Sequence, residues 1–361
     1  MDRSNNVPSS SVLFAGTATA LTDGSGNFFF DLPAPPTYPE MAEKPEKTMI
    51  EATLRASEDN PVPGNHTVGY FTGHGGKQLR YAIFRASRQI ARGTVVLLHG
   101  RNECIEKYFE TVTDLTAMGF WVATFDMRGQ GGSERLLKKP GVGHVRRFSD
   151  YQRDISLFLE QVVLPDTRLP FFMIAHSTGA LAALAAAPGL SNRIDRLALC
   201  SPFIELDSQQ SVPPSVIRLV ATALSLVGLG RVQLGRDQRE RDFDGNPLTS
   251  DARRFARNLA LHRQFPELFI GAPTARWVYE ALKTMGRVTR QDHLTNITVP
   301  TLILAPMLDT ITPYKAQEEL SRNFRAAQLL PITGARHELL HERDVFRKQA
   351  LAAIDAFFAP E

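Results

Sequence analysis

The chain has 361 residues, 43% of them hydrophobic and 22% charged, the composition of a globular protein large enough to bury a substantial core. Its net charge of +3 comes without a long Lys/Arg run, so the electrostatic footprint of a nucleic-acid binder is missing. Two cysteines, Cys104 and Cys200, are too few for a disulfide framework and fit a reducing, cytoplasmic compartment.

Residues 1–65 are rich in Pro, Ser, Gly and charge and read as an N-terminal arm, partly irregular, with one short helix expected near 47–56. The mildly apolar stretch 11–21 follows only Arg3, which Asp2 offsets, so it lacks the basic region of an export signal. Strand-like runs at 67–71 and 79–85 flank the turn Gly73-His74-Gly75-Gly76 and predict a hairpin. From residue 94 the texture changes. Short apolar runs at 94–98, 121–125, 171–175, 196–200, 301–305 and 327–331 lack polar alternation, as strands covered on both faces do. Helical patterns at 105–118, 150–163, 178–187, 313–324 and 342–358 separate them. That alternation predicts an α/β fold, a doubly wound, mostly parallel sheet with helices on both faces.

About a hundred residues lie between the strands at 196–200 and 301–305, far more than a crossover needs. The excess, 205–285, is expected to be a mostly helical cap or lid, with core segments 66–204 and 286–361 around it. It contains the charged segment 236–242, a helical pattern at 274–285, and the longest apolar run, 212–230. That run carries Arg218 and two prolines and falls short of the ~20 apolar residues of a membrane span. Burial against the core is its simpler placement; transient contact with a membrane surface is the other, which would make the protein peripheral to the membrane.

The chemistry centres on Ala175-His176-Ser177-Thr178-Gly179, one residue from the Gly-x-Ser-x-Gly elbow that exposes a nucleophilic serine between a strand and a helix. Ala175 adds one methyl where glycine is expected, which a tight crossing can tolerate. Small-Ser-small turns also occur by chance, so the motif needs partners. A base and an orienting acid should follow in the order acid, then histidine, each in a loop after a later strand. Asp309 is the sole acid in the loop 306–313, and His337 is the first histidine beyond 327–331. Oxyanion donors are expected from the backbone N–H groups of Thr178 and of Arg101, in the loop His99-Gly100-Arg101. His99 itself reads as a hydrogen-bonding core residue.

With these residues in place the sequence resembles the α/β-hydrolase superfamily, and within it the lysophospholipase L2 and monoacylglycerol lipase branch. The resemblance rests on LLHGRNECIEKYFETVTDL (97–115), FDMRGQGGSER (125–135), IAHSTGALAAL (174–184), LAPMLDTITP (304–313) and GARHELLHERD (335–345), and spans about residues 67–358. It implies an α/β-hydrolase fold and hydrolysis of single-chain acyl esters, small-molecule substrates of lipid type, through an acyl-enzyme. Ser177 would be nucleophile, His337 base and then acid, and Asp309 its orienting group; no cofactor or metal is implied. Asp126 and Arg128 fall in a family motif and read as structural. The cap matches only loosely, and no oligomeric state follows.

Three other readings compete. His337-Glu338-Leu339-Leu340-His341 matches H-E-x-x-H, the zinc-hydrolase signature, but no third ligand motif follows it. A hydrolase fold can also serve as a non-catalytic binding module, though such modules tend to lose a triad member. Esterase, thioesterase or peptidase activity on a small soluble substrate completes the set.

Overall fold

The computed structural model describes residues 19–22, 28–31, 51–86, 90–139, 141–207, 212–235 and 242–359. The chain forms two units, 1–50 and 51–361. In the first, β1 (Thr19–Thr22) pairs antiparallel with β2 (Phe28–Asp31); residues 11–18 of the mildly apolar stretch lie outside the described residues.

The apolar runs become the strands of one eight-stranded sheet in the second unit: β3 (His66–Gly73), β4 (Lys77–Phe84), β5 (Thr94–Leu98), β6 (Trp121–Phe125), β7 (Phe171–His176), β8 (Arg196–Cys200), β9 (Thr301–Pro306) and β10 (Ala327–Ile332). Their order is β10-β9-β8-β7-β5-β6-β4-β3, parallel except for the β3–β4 hairpin and the β4–β6 pair. The chain reverses its winding at β5, so the carboxyl ends of β5 and β7 flank a crevice, the place where such sheets bind ligands.

Because strand side chains alternate, each central strand feeds two cores. Val96 and Leu98 of β5 join one cluster, Val95 and Leu97 the other. Over the first face pack α2 (Ser149–Phe158), α3 (Thr178–Ala186), α6 (Ala275–Val288) and α7 (Tyr314–Asn323). Against the second pack α1 (Phe109–Ala117) and α8 (Asp344–Phe357). The Ala- and Leu-rich α3 is buried along nearly its whole length, the outcome expected for a helix apolar on every side.

The remaining helices, α4 (Pro214–Leu226) and α5 (Ala252–Gln264), lie with α6 in the interval read as a cap. Here the structure departs from the simpler expectation. α4 buries only Ala221 and Ser225, while Leu219 and Leu226 are 69% and 73% exposed. An apolar run of thirteen residues has the same pattern in a core and at a surface, so its placement is set by its neighbours. Other differences are local. Residues 51–56 carry no helix, and 47–50 lie outside the described residues, as does 236–241 of the charged segment. Residues 51–65, grouped with the arm on sequence, bond into the core: the Arg55 N–H donates to Glu106 Oε1 and Asn60 Nδ2 to the Glu106 carbonyl.

The loop after β6 is fixed by a buried ion cluster. Arg80 makes a bidentate pair with Glu106 (2.7 and 2.7 Å) and donates through Nε to Asp126 (2.6 Å), which also accepts the N–H groups of Ile105 and Gly132. A Cβ at Gly131 would fall 2.1 Å from Asp126 Cγ, so this turn requires glycine. Arg128 pairs with Asp154 on α2. Removing Arg80 would leave two buried carboxylates without their counter-charge. Arg80→Met is therefore expected to lower stability by about 3–5 kcal/mol, read as a lower urea midpoint with unchanged slope. A loss below about 1 kcal/mol would contradict this account of the loop.

Candidate active site

β7 ends at His176, and the chain turns into α3 through Ser177, whose backbone sits at φ 52°, ψ −116°. A non-glycine residue holds such a conformation only where its surroundings enforce it. The Ser177 N–H donates to the Cys200 carbonyl, and its own carbonyl accepts from Leu181 and Phe203. Crowding explains the glycines around it. A Cβ at Gly179 would lie 2.4 Å from the His99 carbonyl oxygen, and one at Gly100 would lie 3.2 Å from Ser177 Cβ. Ala175, in register between Leu98 and Leu199, is fully buried in the first core cluster, where its methyl has room.

The three residues predicted to converge do so. His337 Nε2 lies 2.9 Å from Ser177 Oγ, and His337 Nδ1 lies 2.7 Å from Asp309 Oδ2. A carboxylate can only accept, so Nδ1 carries the proton and Nε2 is left to accept from the serine hydroxyl. Asp309 Oδ1 accepts the N–H groups of Ile311 and Thr312, which aims the carboxylate. Ser201, itself at φ 49°, donates from Oγ to the His337 carbonyl at 2.6 Å and steadies the histidine loop. Burial opposes charge on His337, but the Asp309 charge and hydrogen bond outweigh it and raise the imidazole above its ordinary pKa. The triad members are at most 8% exposed.

Thr178 opens α3, so its N–H points from a helix N-terminus beside Ser177. The 99–102 loop is held from three sides. His99 Nε2 accepts from the Met127 N–H, so Nδ1 donates to the Gly100 carbonyl (2.7 Å). The Gly100 N–H donates to Glu103 Oε2 (2.6 Å), and the Asn102 N–H donates to Gln130 Oε1. The Arg101 side chain donates to the Gly271 carbonyl and lies over the Trp277 ring, tying this loop to the segment that leads into α6. His99 is thus a fully buried structural residue.

Behind the site runs a network that sequence reading missed. Lys107 Nζ bridges Glu103 and Glu338 at 2.7 Å each, and Tyr108 OH donates to Glu103 Oε2. Burial works against the Glu103 charge, but Lys107 above all holds the carboxyl well below the usual range. Glu338 follows His337 directly, so one ammonium links the Gly100 loop to the histidine loop. The His176 ring sits 5.0 Å from that of His337, and burial pushes its pKa down to about 3, so it stays neutral.

The H-E-x-x-H match takes a different form. Leu339–His341 is a 3₁₀ turn, not the α-helix that sets two histidines on one face. His337 is engaged with Ser177 and Asp309, and Glu338 with Lys107. His341 packs edge-on against Tyr108. Among the described residues no cluster of three or more His, Cys, Asp or Glu is placed to hold a metal.

Ser177 and His337 open into a cavity of about 990 Å³. Its walls are largely aliphatic and aromatic: Val216, Ile217 and Val220 of α4, Leu259 of α5, and Trp277, Ala281 and Met285 of α6. Asn102 Oδ1 accepts from the Ile270 N–H, and the Glu338 N–H donates to the Leu248 carbonyl, so the segments at 248 and 270 close on the same site as the loops after β5 and β10.

Strand order, serine elbow and buried Ser–His–Asp arrangement together define the α/β-hydrolase fold of the serine-hydrolase kind. The pattern of the serine aminopeptidase S33 family matches residues 89–344, and the chain belongs to that family. It is 32% identical to lysophospholipase L2 of Escherichia coli over 309 residues, 80% of this chain and 86% of the relative. A monoglyceride lipase homolog of monkeypox virus is 22% identical over 74% of this chain and 89% of its own length. Among solved structures, a soluble variant of the Saccharomyces cerevisiae monoglyceride lipase in complex with a substrate analog superposes with a TM-score of 0.66 at 21% identity. It covers 85% of this chain and 98% of its own.

The depressed Glu103 carboxyl contributes stability that is complete above its unfolded pKa of ~4.3 and is lost as pH falls toward its folded value. Glu103→Gln removes that titration. Its stability at neutral pH is expected to drop by about 3 kcal/mol, and its further loss below about pH 4 to be shallower than in the native chain. Parallel acid-unfolding curves for the two proteins would contradict the assignment.

Proposed function

We propose that this protein is a carboxylic ester hydrolase acting on single-acyl-chain lipids of the lysophospholipid or monoacylglycerol type, with Ser177, His337 and Asp309 as its triad. The observation that carries the reading is the Ser177–His337–Asp309 hydrogen-bond chain at the floor of an apolar cavity. Ser177 Oγ attacks the ester carbonyl while His337 Nε2 takes its proton, and Asp309 stabilises the imidazolium. The N–H groups of Arg101 and Thr178 receive the developing oxyanion. His337 then protonates the leaving alcohol, and water cleaves the acyl-enzyme with the same histidine as base. The acyl chain lies between α4 and α6, with residues 205–285 serving as lid.

The family's name raises aminopeptidase activity as a second reading, and the cavity speaks against it. Among the described residues, the carboxylate side chains that line it are Glu103 and Glu338, and both are held by Lys107. A substrate ammonium would be desolvated with no free counter-charge. Acyl esters make no such demand.

The exposed aliphatic side chains of α4 outside the cavity, Leu219 and Leu226, support transient contact between the lid and a lipid surface. Among the described residues no helix is long and apolar enough to cross a membrane.

Hydrolysis of p-nitrophenyl esters is expected to strengthen from acetate toward medium and long chains, with monoacylglycerol or lysophospholipid cleaved and aminoacyl p-nitroanilides untouched. Preference for the anilides would overturn the proposal. Because the folded environment raises His337, the neutral base is lost on acidification at a pH above the ordinary histidine value of ~6.5. The acid limb of kcat/KM on a soluble ester should therefore lie above that value. Asp309→Asn should lower the limb and reduce kcat by about 10³–10⁴-fold; an unmoved limb would remove Asp309 from this role.

A further inference from the structure

A second cleft, of about 530 Å³, lies outside the catalytic cavity, between the β3–β4 turn, the start of α2 and the segment after α4. Seven cationic side chains line it and one carboxylate, Asp150. Four of the seven have acidic partners: Lys77 with Glu134, Arg128 with Asp154, Arg153 with Asp150 and Arg276 with Glu280. Arg146, Arg147 and Arg231 are exposed, and their guanidinium groups make no ion pair or hydrogen bond with the described residues. Three guanidinium groups thus face one concavity uncompensated. Their field is felt inside it: burial first, then Arg231 and Arg276, hold the His144 imidazole below its ordinary pKa. Arg276 Nη2 also donates to the Ser225 carbonyl, which answers one of the terminal carbonyls of α4 that would otherwise repel an anion.

The wall contributed by the 205–285 interval is built from Leu226-Val227-Gly228-Leu229-Gly230-Arg231-Val232. Gly228, Gly230 and Arg231 line the cleft, while Leu226, Val227, Leu229 and Val232 are 73%, 69%, 53% and 46% exposed. One short segment therefore presents guanidinium to a concave site and aliphatic side chains to solvent at its lip. A soluble anion needs only the first feature. A phosphate attached to acyl chains uses both, since the aliphatic lip can enter the chain region while the arginines take the charge.

We propose that this cleft seats the phosphate of an anionic phospholipid headgroup and so holds the enzyme at anionic lipid surfaces, apart from the substrate in the catalytic cavity. Arg146, Arg147 and Arg231 supply the charge-assisted hydrogen bonds, and the 226–232 segment supplies the apolar contact.

The test compares the full chain with an Arg146→Gln/Arg147→Gln/Arg231→Gln variant by co-sedimentation with vesicles. One set is phosphatidylcholine alone; the other also contains phosphatidylglycerol. The native chain is expected to partition more strongly onto the phosphatidylglycerol vesicles, with the excess suppressed by salt. The variant should lose that excess by roughly tenfold or more, while its turnover of a soluble p-nitrophenyl ester stays unchanged and reports that it is folded. Ser177→Ala should bind vesicles as the native chain does, which separates this site from the catalytic reading. Equal binding to both vesicle sets, or an unaltered excess in the variant, would overturn the proposal. Arginine-dependent binding of free glycerol phosphate without any preference for phosphatidylglycerol vesicles would overturn the lipid source in favour of a soluble phosphate ligand.

Discussion

The site depends on one backbone junction. Ser177 holds φ 52° between β7 and α3, and that turn exists only because Gly179 and Gly100 bring three backbone segments into contact. The strain there is met by ordinary hydrogen bonds, from the Ser177 N–H to Cys200 and from the Leu181 and Phe203 N–H groups to the Ser177 carbonyl. It lifts the serine hydroxyl off the sheet edge toward His337 and sets the first N–H of α3 beside it. A sheet that reverses its winding at β5 leaves a crevice at this edge, and the elbow fills it with a reactive group.

A second constraint is electrostatic. The loops that meet at Ser177 come from distant parts of the chain, yet Lys107 joins two of them by bridging Glu103 and Glu338 inside the protein. A buried pair of this kind adds little net stability, but breaking it is costly, so it fixes which arrangement of loops is allowed. The Arg80–Glu106–Asp126 cluster performs the same service for the loop after β6. Residues 248–271 then join the fixed loops through Asn102, Arg101 and Glu338, and the apolar side chains of α4, α5 and α6 complete the cavity.

Much of this was legible in the sequence where the signal is local. Strands β5, β6 and β8 begin and end where their apolar runs do, because a strand buried on both faces is mostly apolar and ends where the polar loops begin. Ser177, Asp309 and His337 could be picked out because the fold demands an acid and a histidine after successive strands, and each loop held a single first candidate. The Glu103–Lys107–Glu338 network was illegible: its partners are 231 residues apart, and Glu338 sat inside a deceptive zinc-like motif. The exposure of α4 was illegible for a different reason. Its apolar content says that it avoids water in some state, but not whether protein or lipid does the covering.

The central claim is that the strained serine is the nucleophile of an ester hydrolase. A fluorophosphonate probe followed by peptide mass spectrometry addresses it directly. The account predicts a single covalent adduct on Ser177, formed with or without chelator, absent from Ser177→Ala and strongly slowed in His337→Ala. Esterase activity that chelation abolishes, with Ser177 left unlabelled, would contradict it.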